Sequence, residues 1–275
     1  MADAMRCSRP RRTVPPLLIL FAVAACAAPS AQVSLGDLRW LDLSHDFASD
    51  TVYWPTAPGF ELTADAKGMN EKGYWYESNT FKSSEHGGTH IDAPVHFAKD
   101  HWTTDQIPLE RLIAPAVVVD VRTQCEQERD YEVRVDDLAA FERQHGPIAA
   151  GTIVLLHTGY GRYWPDRARY MGTAERGLEA SLALHFPGLG PAAAKWLVAR
   201  RVAAVGIDTP SIDHGPSRMF YSHRELYEAN VPAFENVANL DQLPAVGALV
   251  VALPMKIRGG SGGPLRIVAG VKAAE

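Results

Sequence analysis

Residues 84–97 read Ser-Glu-His-Gly-Gly-Thr-His-Ile-Asp-Ala-Pro-Val-His-Phe, and no other stretch constrains the fold as much. Three of the chain's ten histidines (His86, His90 and His96) and Asp92 fall within eleven residues, all at even positions. Gly87-Gly88 and Pro94 oppose a helix here. In extended chain, side chains alternate faces, so these four would point the same way. Ile91, Ala93, Val95 and Phe97 are interleaved among them, which does not suit a solvated polar face. Burying Asp92 without a cation or hydrogen-bond donors would be costly. Neutral imidazoles with a carboxylate suit a divalent ion such as zinc, manganese or iron. The spacing predicts a metal centre on an extended, glycine-bearing segment, completed by residues from elsewhere in the chain.

The remaining 261 residues have ordinary globular composition. Of the 275-residue chain, 47% is hydrophobic and 21% charged, enough for one large domain or two small ones. The net charge is −5 and no Lys/Arg-rich block occurs, so no nucleic-acid partner is expected. No apolar run approaches the ~20 residues of a membrane-spanning helix. Arg6, Arg9, Arg11 and Arg12 precede an apolar run from Leu17 to Ala28, the pattern of a secretory signal peptide over residues 1–25. Val23-Ala24-Ala25-Cys26 resembles a lipobox with Cys26 as the lipid-bearing residue; cleavage after Ala28 or Ala31 is the plainer alternative. Export is therefore expected, to the periplasm or to a lipid anchor on the outer membrane. Cys7 would leave with the leader and Cys26 would carry lipid, so Cys125 stands alone and no internal disulfide is available.

Residues 26–36 read as a tether, and 37–275 as one α/β domain with a mixed sheet. Strands are expected at 38–43, 74–81, 116–121, 152–157, 202–208, 248–253 and 265–271. The unbroken apolar runs at 116–121 and 152–157 imply strands covered on both faces. Helices are expected at Val135 to His145, with Gly146 just past the end, and at Pro191 to Arg201. Ser222-His223-Arg224-Glu225 reads as a capping box with His223 at the first position of a short helix, where the dipole disfavours imidazolium. Residues 160–189 look loop-rich.

His86-Gly-Gly-Thr-His90-Ile-Asp92-Ala-Pro-Val-His96-Phe97 closely resembles the HxGTHxDxPxH signature of the cyclase family of metal-dependent hydrolases, whose members include bacterial kynurenine formamidase and isatin hydrolase. The resemblance extends over most of the domain. Asp42-Leu43-Ser44 is similar to the family's first strand, Gly206 to Ser211 to its central strand and loop, and Leu253 to Ile257 with Gly262 to Arg266 to its C-terminal closure. It implies a single mixed-sheet domain of the swivelling β/β/α-like type and a homodimer. It also implies a further histidine ligand and a glutamate twelve residues later, a spacing that His223 and Glu235 have. The implied ligands are thus His86, His90, Asp92, His223 and Glu235, holding one or two Zn2+ or Mn2+ ions, with Asp92 and Glu235 able to bridge. His96 is the implied catalytic proton carrier, off the metal. The implied reaction is attack of metal-bound hydroxide on the C–N bond of a small amide, lactam or N-formyl substrate, aromatic ones included. A kynurenine formamidase is the narrower alternative. A non-catalytic metal-binding envelope lipoprotein is the other, and it would have no need of His96.

Gly259-Gly260-Ser261-Gly262-Gly263 matches G-x-S-x-G, the nucleophile elbow of serine hydrolases. No Asp or His follows Ser261, and no strand-to-helix context surrounds it, so it reads instead as a flexible loop at the rim of the site. Trp54, Trp75, Phe81, Tyr160 and His214 could approach the pocket.

Overall fold

The computed structural model describes residues 34–272. The leader, Cys7, Cys26 and most of the tether lie outside the described residues. Of the described residues, 35–272 belong to a single compact unit. Its strands are Leu38–Asp42 (β1), Glu61–Met69 (β2), Trp75–Lys82 (β3), His90–Asp92 (β4), Ile113–Asp120 (β5), Glu132–Val133 (β6), Ile153–His157 (β7), Gly188–Leu189 (β8), Ala204–Ile207 (β9), Ala233–Glu235 (β10), Val246–Pro254 (β11) and Gly262–Lys272 (β12). Its α-helices are Leu109–Leu112 (α1), Arg122–Gln127 (α2), Val135–His145 (α3), Arg167–Met171 (α4), Leu178–Ser181 (α5), Pro191–Ala199 (α6) and Tyr221–Glu228 (α7).

The main sheet runs β1-β12-β11-β5-β7-β9-β10-β4, and β4 also pairs with β12. The last pairing closes seven strands into a barrel, with β1 appended outside the ring. β5, β7, β9 and β10 are parallel; β11, β12 and β4 run against their neighbours. The mixed sheet matches the expectation from sequence. Its closure depends on the three residues of β4, too short a run to announce itself as a strand.

Alternation along the strands sorts the apolar residues into two cores. Ile153 and Leu155 on β7 join Ile91, Phe234, Ile267 and a set of alanines (Ala114, Ala116, Ala204, Ala248, Ala252) inside the barrel. Small residues facing large ones fill a barrel of this size without a channel. Val154 and Leu156 point the other way and pack with Val119, Val205 and Ile207 beneath α3 (Leu138, Phe141), α6 (Ala193, Ala194, Leu197) and α7 (Leu226, Tyr227). Both faces of β7 are covered, which is why its sequence shows no polar alternation. Arg200, just past α6, makes a forked pair with Glu142 on α3 at 2.9 and 2.8 Å and lies over the Trp196 ring.

Four local expectations are revised. Residues 160–189 hold two short helices, α4 and α5, and β8, which pairs with β6. β2 has little apolar alternation and was not foreseen; it pairs with β3 in a separate two-stranded hairpin. The capping box at Ser222 does not form. Phe220 (φ 49°) occupies the N-cap, and the Ser222 hydroxyl instead donates to the Leu189 carbonyl. The glycine-rich stretch 259–263 is not a loose loop. Gly262 and Gly263 begin β12 and pair with Asp92 and Ile91, Ala93 N donates to the Ser261 carbonyl, and Thr104 Oγ1 reaches the carbonyls of Gly260 and Gly262.

Leu155→Ala and Leu156→Ala test the two-core arrangement, because each empties a different side of one strand. Each is expected to cost about 2–5 kcal/mol in urea unfolding. A cost near zero for either would mean that its side of β7 is not a packed core.

Candidate metal centre

The four even-numbered residues converge, but not by lying along one extended strand. Only His90 and Asp92 share a strand face, on β4. Gly87 (φ 152°) and Gly88 (φ 58°) bend the chain so that His86 returns beside Asp92. A side chain at either glycine would strike the Tyr53 or Phe47 ring. After β4, Pro94–His96 form a 3-10 turn that brings His96 back over the site, its ring stacked on His86 at 3.8 Å. Sheet register supplies Glu235, which lies directly opposite His90 across the β4–β10 pair. α7 supplies His223 as its third residue, within the first turn rather than at its first position.

Five donor atoms meet around Asp92. His86 Nδ1 lies 2.7 Å and His90 Nε2 3.1 Å from Asp92 Oδ1, and His223 Nε2 lies 3.3 Å from Asp92 Oδ2. Glu235 completes the set: His90 Nε2 is 3.4 Å from its Oε2 and His223 Nε2 3.3 Å from its Oε1. Donors bonded to one ion at 2.0–2.2 Å sit roughly 3 Å from each other. Each carboxylate offers its two oxygens to different histidines, the arrangement a bridging ligand between two ions would have.

The orientation of the histidines fits a cation. His90 Nδ1 donates to the Gly88 carbonyl at 3.0 Å, which leaves the lone pair on Nε2. That Nε2 is buried without a hydrogen-bond partner, despite facing two carboxylates. His223 Nδ1 is held by Asp213, so its Nε2 likewise turns a lone pair towards Asp92 and Glu235. Lone pairs aimed at carboxylates from buried imidazoles are tolerable when a positive ion or a proton lies between them.

Charge in the site tells the same story. Burial would lift the Asp92 carboxyl, but His86, His223 and His90 outweigh it and hold the group well below the usual carboxylate range. Glu235 moves up, through burial first and then repulsion from Asp92. For His223 burial acts against the cation, yet Asp213, Asp92 and Glu235 together hold its pKa well above the ordinary value. The helix dipole was expected to disfavour imidazolium there; three close carboxylates overwhelm it. A divalent ion would supply the positive charge that these carboxylates otherwise draw from protonated histidine. Burial pushes His96 down to about 4 against the pull of Asp92, so its imidazole is neutral at neutral pH.

Asp213 and Tyr227 belong to the site and were not singled out in the sequence. Asp213 accepts from the backbone N–H groups of Ser222 (3.2 Å) and His223 (3.0 Å), so it caps α7 and orients the His223 ring at once. Its signal was an acid ten residues before a ligand histidine, which gains meaning only once the loop is known to fold back. Tyr227, one turn after His223, donates to Asp92 Oδ2 at 2.8 Å. Of the aromatic residues expected near the pocket, Trp54 lines it. Trp75 and Phe81 stand out on the hairpin, Tyr160 is in the outer core, and His214 lies 3.3 Å from Glu132 instead. The cavity measures about 400 Å3 and is lined by the donor cluster together with Val52, Tyr53, Trp54, Phe97 and Phe220.

Comparison with known proteins bears on this geometry. The isatin hydrolase of Roseibium aggregatum is 32% identical over 242 residues, covering 85% of this chain and 87% of its own. The kynurenine formamidase of Salinibacter ruber is 28% identical, over 83% of this chain and 95% of its own. Among solved structures, an isatin hydrolase bound to the product analogue thioisatinate superposes with a TM-score of 0.78 at 29% identity, covering 86% of this chain and 94% of that one. A protein described as a potential metal-dependent hydrolase with cyclase activity shares the fold at a TM-score of 0.63 and 21% identity, over 86% of this chain and 100% of its own. Residues 41–214 match the family described as Putative cyclase. With His86, His90 and Asp92 inside that matched segment and the fold shared with solved relatives, the chain belongs to the Putative cyclase family.

Proposed function

We propose that this protein is a metal-dependent hydrolase that opens a C–N bond in a small planar amide, with an aromatic lactam as the favoured class. The observation that carries this reading is the cavity itself, lined both by the histidine–carboxylate cluster and by Trp54, Phe97 and Phe220. Trp54 and Phe220 lie 6.4 Å apart, and Phe97 and Phe220 5.2 Å. Stacking of a flat ring on such walls contributes ~0.5–1.5 kcal/mol per pair. The relatives named isatin hydrolase and kynurenine formamidase support the reaction class, and the higher identity to the former favours a cyclic amide.

His86, His90, Asp92, His223 and Glu235 would hold one or two ions, zinc or manganese by donor chemistry. A divalent ion supplies Lewis acidity to the carbonyl and lowers the pKa of a coordinated water towards ~7. The chain's own residues do the rest. Asp213 keeps the His223 ring in one tautomer, and Tyr227 holds Asp92 in place. His96 is neutral and open to the cavity, so a ring nitrogen can take a proton from the attacking water. The same nitrogen returns it to the departing amine as the C–N bond breaks, giving a carboxylate and a free amine. The apolar walls exclude bulk water from the reacting carbonyl.

We also propose a homodimer and an exported, Cys26-anchored protein. The hairpin supports the first. Cross-strand pairs Leu62–Phe81 and Met69–Trp75 put four large apolar side chains on one face of a two-stranded sheet, each at least half exposed. Among the described residues, Phe81 has only the Phe60 ring stacked on it at 6.0 Å, and a two-stranded sheet with so much exposed apolar surface is marginal in water, so this face calls for a partner. The leader pattern and lipobox support the second.

Metal analysis of the purified protein should find Zn2+ or Mn2+, and the loaded enzyme should hydrolyse members of a panel of aromatic lactams and N-formyl arylamines. Asp92→Ala and Glu235→Ala should lose the ion. His96→Ala should keep it while turnover falls about 10²–10⁴-fold. No turnover across the panel by the metal-loaded wild type would sink the enzyme reading. Sedimentation should give twice the chain mass, and Leu62→Lys with Trp75→Lys should give monomer; an unchanged mass would reject the hairpin as the interface. Fractionation of the expressing cells should place the protein with the membranes, and Cys26→Ala should release it; a wild type found in the soluble fraction would reject the anchor.

A further inference from the structure

The match to a nucleophile elbow at Gly259 to Gly263 is left without a role by the hydrolase reading, yet Ser261 is bonded into the metal centre. Its Oγ lies 2.8 Å from His86 Nε2 and 2.7 Å from Glu85 Oε2, and its backbone N–H donates to the same Glu85 oxygen at 3.1 Å. On its other side, His86 places Nδ1 2.7 Å from Asp92 Oδ1. The chain Glu85–Ser261–His86–Asp92 thus runs from the rim to the buried carboxylate.

Direction along this chain is forced by donor and acceptor capacity. The Ser261 hydroxyl donates its single proton to Glu85 Oε2. Ser261 Oγ can then only accept from His86, which puts a proton on Nε2. On the other side of the ring, Nδ1 lies 2.7 Å from an oxygen of Asp92, a contact that needs a proton or a cation between the two atoms. With an ion in place of that proton, His86 would present Nδ1 to it, the nitrogen opposite to the one that His90 and His223 leave free, since both of those are pinned at Nδ1.

We propose that Ser261 and Glu85 are positioning residues. They set the tautomer of His86 and hold its Nδ1 as a metal donor. The surrounding glycines make this possible. A Cβ at Gly262 would stand 2.6 Å from His86 Cε1 and 2.7 Å from the Ile91 carbonyl. Gly262 is also the strand partner of Asp92, so the turn carrying Ser261 is registered against the ligand strand by the same ladder that closes the barrel. The His86 side chain is still 26% exposed, more than its fellow ligands, and has most need of an external hold. The inference rests on the reading of the site as a metal centre.

The test uses the full chain and Zn2+ alone. Chelator competition gives the zinc dissociation constant of the wild type, Ser261→Ala, Ser261→Thr, Glu85→Gln and the double variant Glu85→Gln/Ser261→Ala. Loss of such an outer partner typically weakens metal binding about 10–100-fold, the effect expected for Ser261→Ala. Ser261→Thr keeps the hydroxyl and should restore wild-type affinity. The double variant should bind no worse than Ser261→Ala, because both changes break one chain. Long-range 15N–1H spectra of the zinc-loaded wild type should show His86 protonated at Nε2 and coordinated at Nδ1. Wild-type affinity in Ser261→Ala, or a zinc-loaded spectrum with His86 coordinated through Nε2, overturns the proposal even if zinc is bound. A wild type that binds no zinc overturns the metal-centre reading, and this proposal with it.

Discussion

Both oxygens of Asp92 are committed inside a space that water barely reaches, and the rest of the molecule is arranged to make that possible. One oxygen faces His86 and His90; the other takes the Tyr227 hydroxyl and faces His223. The residue is 1% exposed. A buried carboxylate surrounded only by groups that, like it, need donors would be very costly. The neighbours here are instead preset as a mixture of donors and lone pairs. β10 places Glu235 opposite His90, α7 delivers His223 and Tyr227 one turn apart, and β12 brings Ser261 against His86. Three elements from distant parts of the sequence converge around one aspartate.

The manner in which the histidines are held explains why they need not be protonated to be ordered. Each ring has one nitrogen fixed by a partner that is not part of the donor cluster. For His90 it is the Gly88 carbonyl, itself also bound by the Asn236 amide at 2.7 Å. For His223 it is Asp213, which at the same time caps the helix that carries the ring. A change at any of these partners would leave the ligand present in the sequence but free to rotate.

How much of this could be read from the chain differs by element. β5, β7, α3 and α6 were visible because their apolar period and their end signals agree, as with Pro191 at the start of α6 and Gly146 after α3. The ligand stretch was visible because its residue types are rare together, although its conformation was misjudged. The parity of positions 86, 90, 92 and 96 suggested one extended face, whereas two glycines and a proline bend the segment twice. His223 and Glu235 were reachable only through family resemblance. The apolar setting of Glu235, between Phe234 and Val237, makes an unpaired carboxylate costly, but only sheet register sets it across from His90. Ser222 looked like a cap because capping residues are recognised by neighbours within four positions; Asp213, nine and ten residues away from the N–H groups it accepts, lies outside that window. β2 is hard to read because nearly all of its residues are exposed, so no inward apolar face alternates along it.

The three residues of β4 have two employments. They carry two of the proposed ligands, and they are the last stave of the barrel, bonded to β10 on one side and β12 on the other. Catalytic chemistry is usually placed on loops above a scaffold that would stand without them. Here the site is the seam of the scaffold. An ion held between β4, β10 and α7 would cross-link segments more than a hundred residues apart, and its binding energy would be added to the stability of the closed ring by mass action. Metal supply would then govern not only how fast such a protein works but how long it lasts.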